Sequence, residues 1–274
     1  MELARTIRSM PFTAMLGIVV IAVYAVVAIF APLLAPYGEA EIVGAQFEPW
    51  GGAFLVGTDN LGRDMLSRLI WGARNTVGVA LMTTVLAFLI GSIAGLLAAA
   101  RRGWVDMILS RIVDILMAVP SLIFTLLALS ALGPGVMNLI VVVAIMDSTR
   151  VFRLVRATAM NVMVMDYVEA AKLRGEGTWW IIRREVLPNI TAPLIAEFGL
   201  RFCFAFLTIS ALSFLGLGLP PPLADWGGMV RDNASLISFG DTTPLLPAAC
   251  IAVLTVAVNF VVDWLLHRAS GLKD

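Results

Sequence analysis

Long apolar segments separated by shorter polar ones dominate this sequence. A helix needs roughly 20 apolar residues to cross the hydrocarbon core of a bilayer, and six segments are long enough to predict transmembrane helices. Gly133-Pro134-Gly135 divides the longest uncharged run into two of them, because glycine and proline together mark a turn. The predicted spans run approximately over Thr13–Leu34, Asn75–Ala100, Asp106–Leu132, Val136–Arg156, Thr191–Leu217 and Pro244–His267.

The composition supports a membrane location. Charged residues make up 14% of the chain and the mean hydropathy is +0.93, whereas a soluble domain has about 25% charged residues. We therefore predict an all-α integral membrane protein. A formal net charge of zero gives no reason to expect a nucleic-acid partner, and the single histidine, His267, leaves almost no material for a metal site.

The distribution of lysine and arginine predicts the orientation, because cytoplasmic loops carry an excess of both residues. If the N-terminus is cytoplasmic, the outer loops hold only Arg63, Arg68, Arg74 and Arg231, together with most of the acidic residues. Both termini are therefore predicted to be cytoplasmic. The inner segments then hold Arg5, Arg8, Arg101, Arg102, Arg150, Arg153, Arg156, Lys172, Arg174, Arg183, Arg184, Arg268 and Lys273.

The longest predicted cytoplasmic loop, DYVEAAKLRGEGTWWIIRREVLPN, has its own helical pattern. Its first nine residues are good helix formers, and Gly175 and Gly177 can end that helix. An amphipathic second helix is predicted from Trp179 to Val186, and we expect Pro188 to stop it before the fifth span. Such a helix–turn–helix suits docking to a cytoplasmic partner, and a solvated amphipathic linker is the alternative.

Arg201 is identified as the only charge well inside the lipid. One interpretation is that it lines a substrate path and attracts a carboxylate, and the other is that it pairs structurally with an acid or a carbonyl group. An ion-coupled secondary transporter is disfavoured because it would use paired acids near the midplane. An intramembrane enzyme is disfavoured because no interior histidine or acid dyad is visible.

Gly91 and Gly95 predict a close helix crossing.

The loop resembles the EAA loop of permease subunits in binding-protein-dependent ABC importers. Glu169-Ala170-Ala171, Gly175 and Leu187-Pro188 match the pattern, and Glu185 departs from it where isoleucine is usual. Four further segments, in the same order, are similar to the C-type subunit of the dipeptide/oligopeptide/nickel permease family. They are GTDNLGRDMLSR (57–68), RIVDILMAVP (111–120), GPG (133–135) and SFLGLGLPPPLADWG (213–227).

The resemblance implies a type I ABC importer permease fold in a multi-pass protein of a bacterial or archaeal cell membrane. It also implies partners: a second homologous permease subunit, two ATPase subunits that bind ATP and Mg²⁺, and an external substrate-binding protein. No P-loop surrounds Lys172 or Lys273, so this chain is not expected to be an enzyme or to bind a cofactor. The residues implied to couple the permease to the ATPase are Glu169, Ala170, Ala171, Lys172, Gly175, Leu187 and Pro188.

The resemblance implies that Ser213, Phe214 and Gly216 border the pathway near its outer end, and Arg201 is a further pathway candidate from its own position. The other expectations for the outer surface come from the residues themselves. Trp226 is expected at the membrane interface, and a separate helix from Asp64 to Gly72 is expected on the outer surface. The candidates for contact with the binding protein are Asp59, Arg63, Asp64 and Trp226, of which the first three could instead form a local ion network.

The substrate is expected to be a dipeptide or an oligopeptide. Relatives also carry glutathione, opine-like compounds or chelated nickel, and these remain alternatives. We predict two structural parts: residues 1–74, with the first helix and an external segment, and residues 75–274, the five-helix core with the coupling loop at 166–188.

Overall fold

The computed structural model describes residues 10–269 of the 274-residue chain. Arg5, Arg8 and Lys273, which entered the orientation argument, lie outside the described residues. Within residues 10–269 the regular structure is helical apart from two isolated antiparallel bridges. The helices are α1 (Phe12–Ile29), α2 (Ala31–Leu34), α3 (Met65–Arg101), α4 (Trp104–Ala118), α5 (Ser121–Leu132), α6 (Val136–Val162), α7 (Asp166–Leu173), α8 (Thr178–Ile181), α9 (Leu187–Phe214), α10 (Trp226–Asn233) and α11 (Leu245–Ala269).

Within the described part of the chain, four helical segments are long and apolar enough to cross a membrane: α1, α3, the continuous run Thr178–Phe214, and α11. A fifth is obtained if the bent pair α4–α5 counts as one span. Six spans were predicted, and the difference is α6. It has 27 residues, enough for about 40 Å of helix, but Asp147, Arg150, Arg153 and Arg156 make its central part too polar for it to count as an apolar span.

The third predicted span is not one straight helix. α4 and α5 meet at an angle of 88°, with Val119 in the extended conformation between them. Proline disfavours the helical conformation in the residue before it, so Pro120 ends α4 at Ala118. The expectation of a single helix over Asp106–Leu132 is therefore wrong at this point.

The second predicted span is part of a longer helix. Asp64 is the N-cap of α3, and its carboxylate accepts a hydrogen bond from the Ser67 amide at 2.7 Å. The separate surface helix expected from Asp64 to Gly72 is wrong, because these residues form the first turns of α3 and most of them are buried. The predicted boundary between residues 74 and 75 falls inside this helix, and the division into two parts remains a prediction.

α3 and α6 cross closely at two glycines. A Cβ atom at Gly91 would lie 2.6 Å from the Ser148 carbonyl oxygen, and one at Gly95 would lie 2.9 Å from the Val155 Cβ. Any larger residue at either position would collide with α6. The predicted role of Gly91 and Gly95 in close helix packing is confirmed.

The outside of the bundle is apolar, as a lipid-facing surface should be. Large apolar side chains are exposed on several helices, including Met82, Ile93, Ile115, Leu127 and Val253. Soluble monomers rarely expose apolar surface in continuous patches of this kind. The buried apolar residues form one main cluster around Phe206 and Trp226, a second around the loop at 166–188, and a small third one at Ala98, Val113 and Phe152.

Candidate coupling loop and an ionic cluster in the spans

The coupling loop is built on a short helix with a defined end. α7 stops at a Schellman motif: the Glu176 amide donates to the Ala171 carbonyl at 3.2 Å, and the Gly175 amide donates to the Lys172 carbonyl at 2.9 Å. Gly175 has φ +83°, a conformation that glycine adopts at little cost. The predicted glycine-terminated helix is confirmed.

α7 has one face against the protein and one face in the open. Val168 and Ala171 are fully buried and belong to the second apolar cluster. Glu169, Ala170 and Lys172 are exposed. The helix is therefore held to the bundle through its buried apolar face, and the opposite face with Glu169, Ala170 and Lys172 is accessible to another molecule.

The loop also exposes large apolar side chains. Leu173 is 85% exposed and Trp179 is 71% exposed, and Val164 at the entrance to the loop is exposed as well. Leu173 lies outside the helices that are apolar enough to span, so lipid does not account for its exposure. Exposed apolar groups beside charged ones are typical of a protein interaction surface.

Pro188 does not end the second helix of the loop. The helix continues from Thr178 through a π-helical turn at Ile182–Val186 into α9, and Pro188 occupies the first turn of α9. The Leu187 amide donates to the Ile182 carbonyl across the wider turn. Such a turn can accommodate a residue without an N–H group. Leu187 is partly buried and Pro188 is exposed.

Arg201 is buried, and it is not alone. Its Nε atom lies 2.8 Å from the Glu197 carboxylate one turn earlier on α9, and its guanidinium lies 4.6 Å from the centre of the Phe204 ring. On α6, Asp147 pairs with Arg150 at 3.3 Å. Asp147 also interacts electrostatically with Arg201 and Glu197. We call Asp147, Arg150, Glu197 and Arg201 the ionic cluster.

The expectation that Arg201 is the only charge well inside the lipid is therefore wrong. Asp147 lies eleven residues after Val136, inside the predicted fourth span, and Glu197 lies inside the fifth. Both acids were visible in the sequence. What the sequence did not contain was their proximity, which depends on how α6 packs against α9.

Ser213, Phe214 and Gly216 lie where α9 ends. The helix closes with a second Schellman motif, in which Gly216 has φ +90° and the Leu217 amide donates to the Leu212 carbonyl at 2.9 Å. Ser213 is buried, whereas Phe214 and Gly216 are exposed. The Ser213 carbonyl also accepts from Arg231 at 3.2 Å. A Cβ atom at Gly218 would collide with Ser213, so glycine is required there for close chain approach.

Asp59, Arg63 and Asp64 are all buried. The Asp59 carboxylate lies 2.7 Å from the Arg63 Nε and 3.2 Å from the Arg68 Nε. It also accepts the backbone amides of Leu61 and Arg63. Asp59 and Arg63 therefore belong to a local ion network, as one of the two interpretations of this segment expected, but its third member is Arg68. Asp64 instead caps α3 through Ser67.

Trp226 is packed inside the protein rather than at a membrane interface. Its indole N–H donates to the Leu69 carbonyl at 3.0 Å, and its ring makes edge contacts with Tyr24 and Phe206. A Cβ atom at Gly72 would lie 2.6 Å from the same ring. The expected interfacial position is wrong, because the small residue on α3 creates a slot that the indole fills.

Asp225, the N-cap of α10, accepts hydrogen bonds from the Gly228 amide and the Thr76 hydroxyl, both at 3.0 Å. Burial raises the pKa of its carboxyl above the ordinary value, and these hydrogen bonds oppose the shift. The carboxylate borders a cavity of about 290 Å³ that Arg68, Ser213 and Arg231 also line. Among residues 10–269 no three potential metal ligands come together.

Comparison with known families accounts for most of the chain. Residues 87–270 match the family described as binding-protein-dependent transport system inner membrane component. Residues 13–48 match the N-terminal transmembrane domain of oligopeptide transport permease C.

Comparison with individual proteins also finds permease subunits of peptide transport systems. The chain is 34% identical over 267 residues to the dipeptide transport system permease protein DppC of Alkalihalophilus pseudofirmus, covering 95% of this chain and 84% of that protein. It is 38% identical over 258 residues to the di/tripeptide transport system permease protein DppC of Pseudomonas aeruginosa, covering 90% and 82%. Its fold is similar to a chain of the inward-facing MetNI methionine ABC transporter, with a TM-score of 0.58, 17% identity, and coverage of 73% and 97%.

Proposed function

This chain belongs to the family of binding-protein-dependent transport system inner membrane components, and from that premise we propose that it is a permease subunit of an ATP-driven importer of dipeptides or oligopeptides. It is a multi-pass protein of a bacterial cell membrane with the fold of an ABC transporter membrane subunit. In the proposed function it forms half of a translocation pathway and transmits the work of ATP hydrolysis through the loop at 166–188.

The exposed ridge of α7 is the observation that carries the coupling role. Glu169, Ala170 and Lys172 face outward on a helix whose other face is fixed in the protein. Leu173 extends the exposed surface with an apolar side chain. Because the loop continues through the π-helical turn into α9 without a break, a displacement of the loop would move the helix that carries Glu197 and Arg201 of the ionic cluster.

The proposed partners are a second homologous permease subunit, two ATPase subunits and an external binding protein. ATP and Mg²⁺ would bind the ATPase subunits, since neither lysine of this chain lies in a P-loop. Within this assembly the chain would have no enzymatic activity of its own. Gly175, Leu187 and Pro188 would shape the contact to the ATPase, and Ala171 would hold α7 in place.

On the outer side, we propose that Ser213, Phe214 and Gly216 border the pathway, with Arg201 deeper inside it. Contact with the binding protein is proposed for the outer segments that Asp59, Arg63, Asp64 and Trp226 hold in place. These four side chains are buried, so their contribution would be to position the surface around them.

Peptides are the substrate class supported by the relatives, two of which are named as dipeptide and di/tripeptide permeases. The buried Arg201 supports a substrate with a carboxylate. The test is uptake of a radiolabelled dipeptide into proteoliposomes that contain this chain, its neighbouring permease and ATPases, ATP and the binding protein. We expect ATP-dependent accumulation that unlabelled dipeptide competes away. Competition by glutathione or chelated nickel, but not by peptide, would contradict the substrate class.

A further inference from the structure

The ionic cluster opens toward one side of the bundle. The Arg150 side chain is 42% exposed and Phe204 is 49% exposed, and the Arg150 guanidinium lies 6.0 Å from the centre of the Phe204 ring. Both residues are in the middle parts of their helices, α6 and α9. A charged side chain is costly where it faces hydrocarbon, so the side of the bundle that exposes Arg150 is expected to face water or another protein.

The ion pairs of the cluster do not join helices. Asp147 pairs with Arg150 on α6, and Glu197 pairs with Arg201 on α9. Elsewhere the chain does use ion pairs between helices: Asp114 of α4 pairs with Arg153 of α6 at 2.8 Å. The cluster therefore lacks the arrangement of a helix anchor.

The cluster is electrically balanced but has unused hydrogen-bonding capacity. Two acids and two arginines sum to zero charge, so a neighbouring subunit need not supply a counter-ion. Asp147 and Arg201 are 6% and 8% exposed, and the Asp147 Oδ2 and Arg201 Nη1 atoms have no hydrogen-bond partner among the described residues. Buried polar groups are normally paired, and a ligand that offers both a donor and an acceptor would pair them.

We propose that the ionic cluster is a binding site for a dipolar solute. Arg201 holds the carboxylate of the solute, Asp147 and Glu197 hold its ammonium group, and the exposed face of Phe204 contacts its apolar part. This inference rests on the proposed function, because it assigns the site to the pathway of an importer. The proposed function is extended in one respect: a short peptide would need both of its charged ends in order to pass through the permease.

The experiment compares three arginine variants in the full reconstituted complex, with Ala-Ala as the transported probe. Arg201→Gln removes the cation, Arg201→Lys keeps it, and Arg153→Gln removes an arginine of an exposed ion pair as the matched control. We expect Arg201→Gln to reduce Ala-Ala uptake at least about tenfold, since charge-assisted hydrogen bonds are involved. Arg201→Lys should recover part of the loss, and Arg153→Gln should transport normally.

ATP hydrolysis stimulated by the loaded binding protein is measured in the same samples. We expect Arg201→Gln and Asp147→Asn to keep this stimulation within about twofold while uptake falls, because both groups act on the solute. Loss of stimulation together with uptake, or loss of the second permease on size-exclusion chromatography, would show a structural contact and overturn the proposal. Normal uptake by both variants would also overturn it. Failure of the native complex to transport any peptide would instead contradict the proposed function.

Discussion

The buried carboxylate of Asp59 holds together the segment before α3. It lies within 3.2 Å of the side chains of Arg63 and Arg68 and accepts two backbone amides. Both arginines are also buried. Removal of one partner from a buried ion pair leaves an uncompensated charge, which costs much more than the pair itself contributes.

We therefore predict that Asp59→Asn destabilises the protein by about 3–5 kcal/mol. The thermal unfolding midpoint of the purified protein in detergent, followed by tryptophan fluorescence, should fall by several degrees. Glu41→Gln is the matched control, because Glu41 is exposed. An Asp59→Asn midpoint equal to that of the control would show that the buried network does not stabilise the segment.

The turn after α7 gives a second prediction at the residue scale. A Cβ atom at Gly175 would meet nothing within 4 Å, so the positive φ angle is the only local requirement at this position. Valine pays roughly 1–2 kcal/mol for that conformation, whereas asparagine adopts it more readily. Gly175→Val should insert normally into the membrane and lose transport, and Gly175→Asn should keep most of it.

Uptake assays on matched amounts of membrane-inserted protein check this prediction. Full transport by Gly175→Val would mean that the ATPase contact does not depend on the geometry of the turn. Loss in both variants would point to direct steric contact at Gly175 instead.

At the scale of elements, the crossing of α3 and α6 depends on small residues. Gly95→Val would place methyl groups where the Val155 side chain and the Phe152 carbonyl already lie. Overpacking of this kind costs about 1–3 kcal/mol, and we expect a lower unfolding midpoint and less folded protein in the membrane. Gly78→Val is the control, since a Cβ atom at Gly78 of the same helix meets nothing within 4 Å. Equal behaviour of the two variants would contradict the close crossing.

Local signals in the sequence predicted some elements well and others poorly. The glycine end of α7 and the close approach at Gly91 and Gly95 follow from residue type alone, and both predictions were confirmed. The bend at Pro120 was missed because a proline after a long apolar run can either kink a helix or end it. Pro188 was expected to end a helix, but the π-helical turn before it allowed α9 to continue.

Contacts between distant parts of the chain could not be read from the sequence. The slot for Trp226 depends on Gly72, which is 154 positions earlier, and the proximity of Asp147 to Arg201 depends on helix packing. Asp147 and Glu197 remove the reason for disfavouring an ion-coupled secondary transporter, which was that Arg201 is the only interior charge. Membership of the permease family now identifies the class of transporter.

At the scale of the whole molecule, one helix joins the coupling loop to the ionic cluster. The continuous run Thr178–Phe214 begins in the coupling loop, passes the ionic cluster and ends at Ser213 and Phe214. Because the helix is continuous over this run, a displacement of its first turns would move the later ones as well. Movement imposed on the loop by an ATPase would thus reach the proposed pathway directly.

The most direct test of this account is ATP hydrolysis by the reconstituted complex carrying Ala170→Trp. Ala170 faces outward on α7, so the larger side chain should leave the fold intact and obstruct the ATPase. Ala40→Trp, at an exposed alanine in the predicted outer segment, is the matched control. We predict that stimulation by the peptide-loaded binding protein is lost in Ala170→Trp and kept in Ala40→Trp. Full stimulation in an intact Ala170→Trp complex would contradict coupling through this loop.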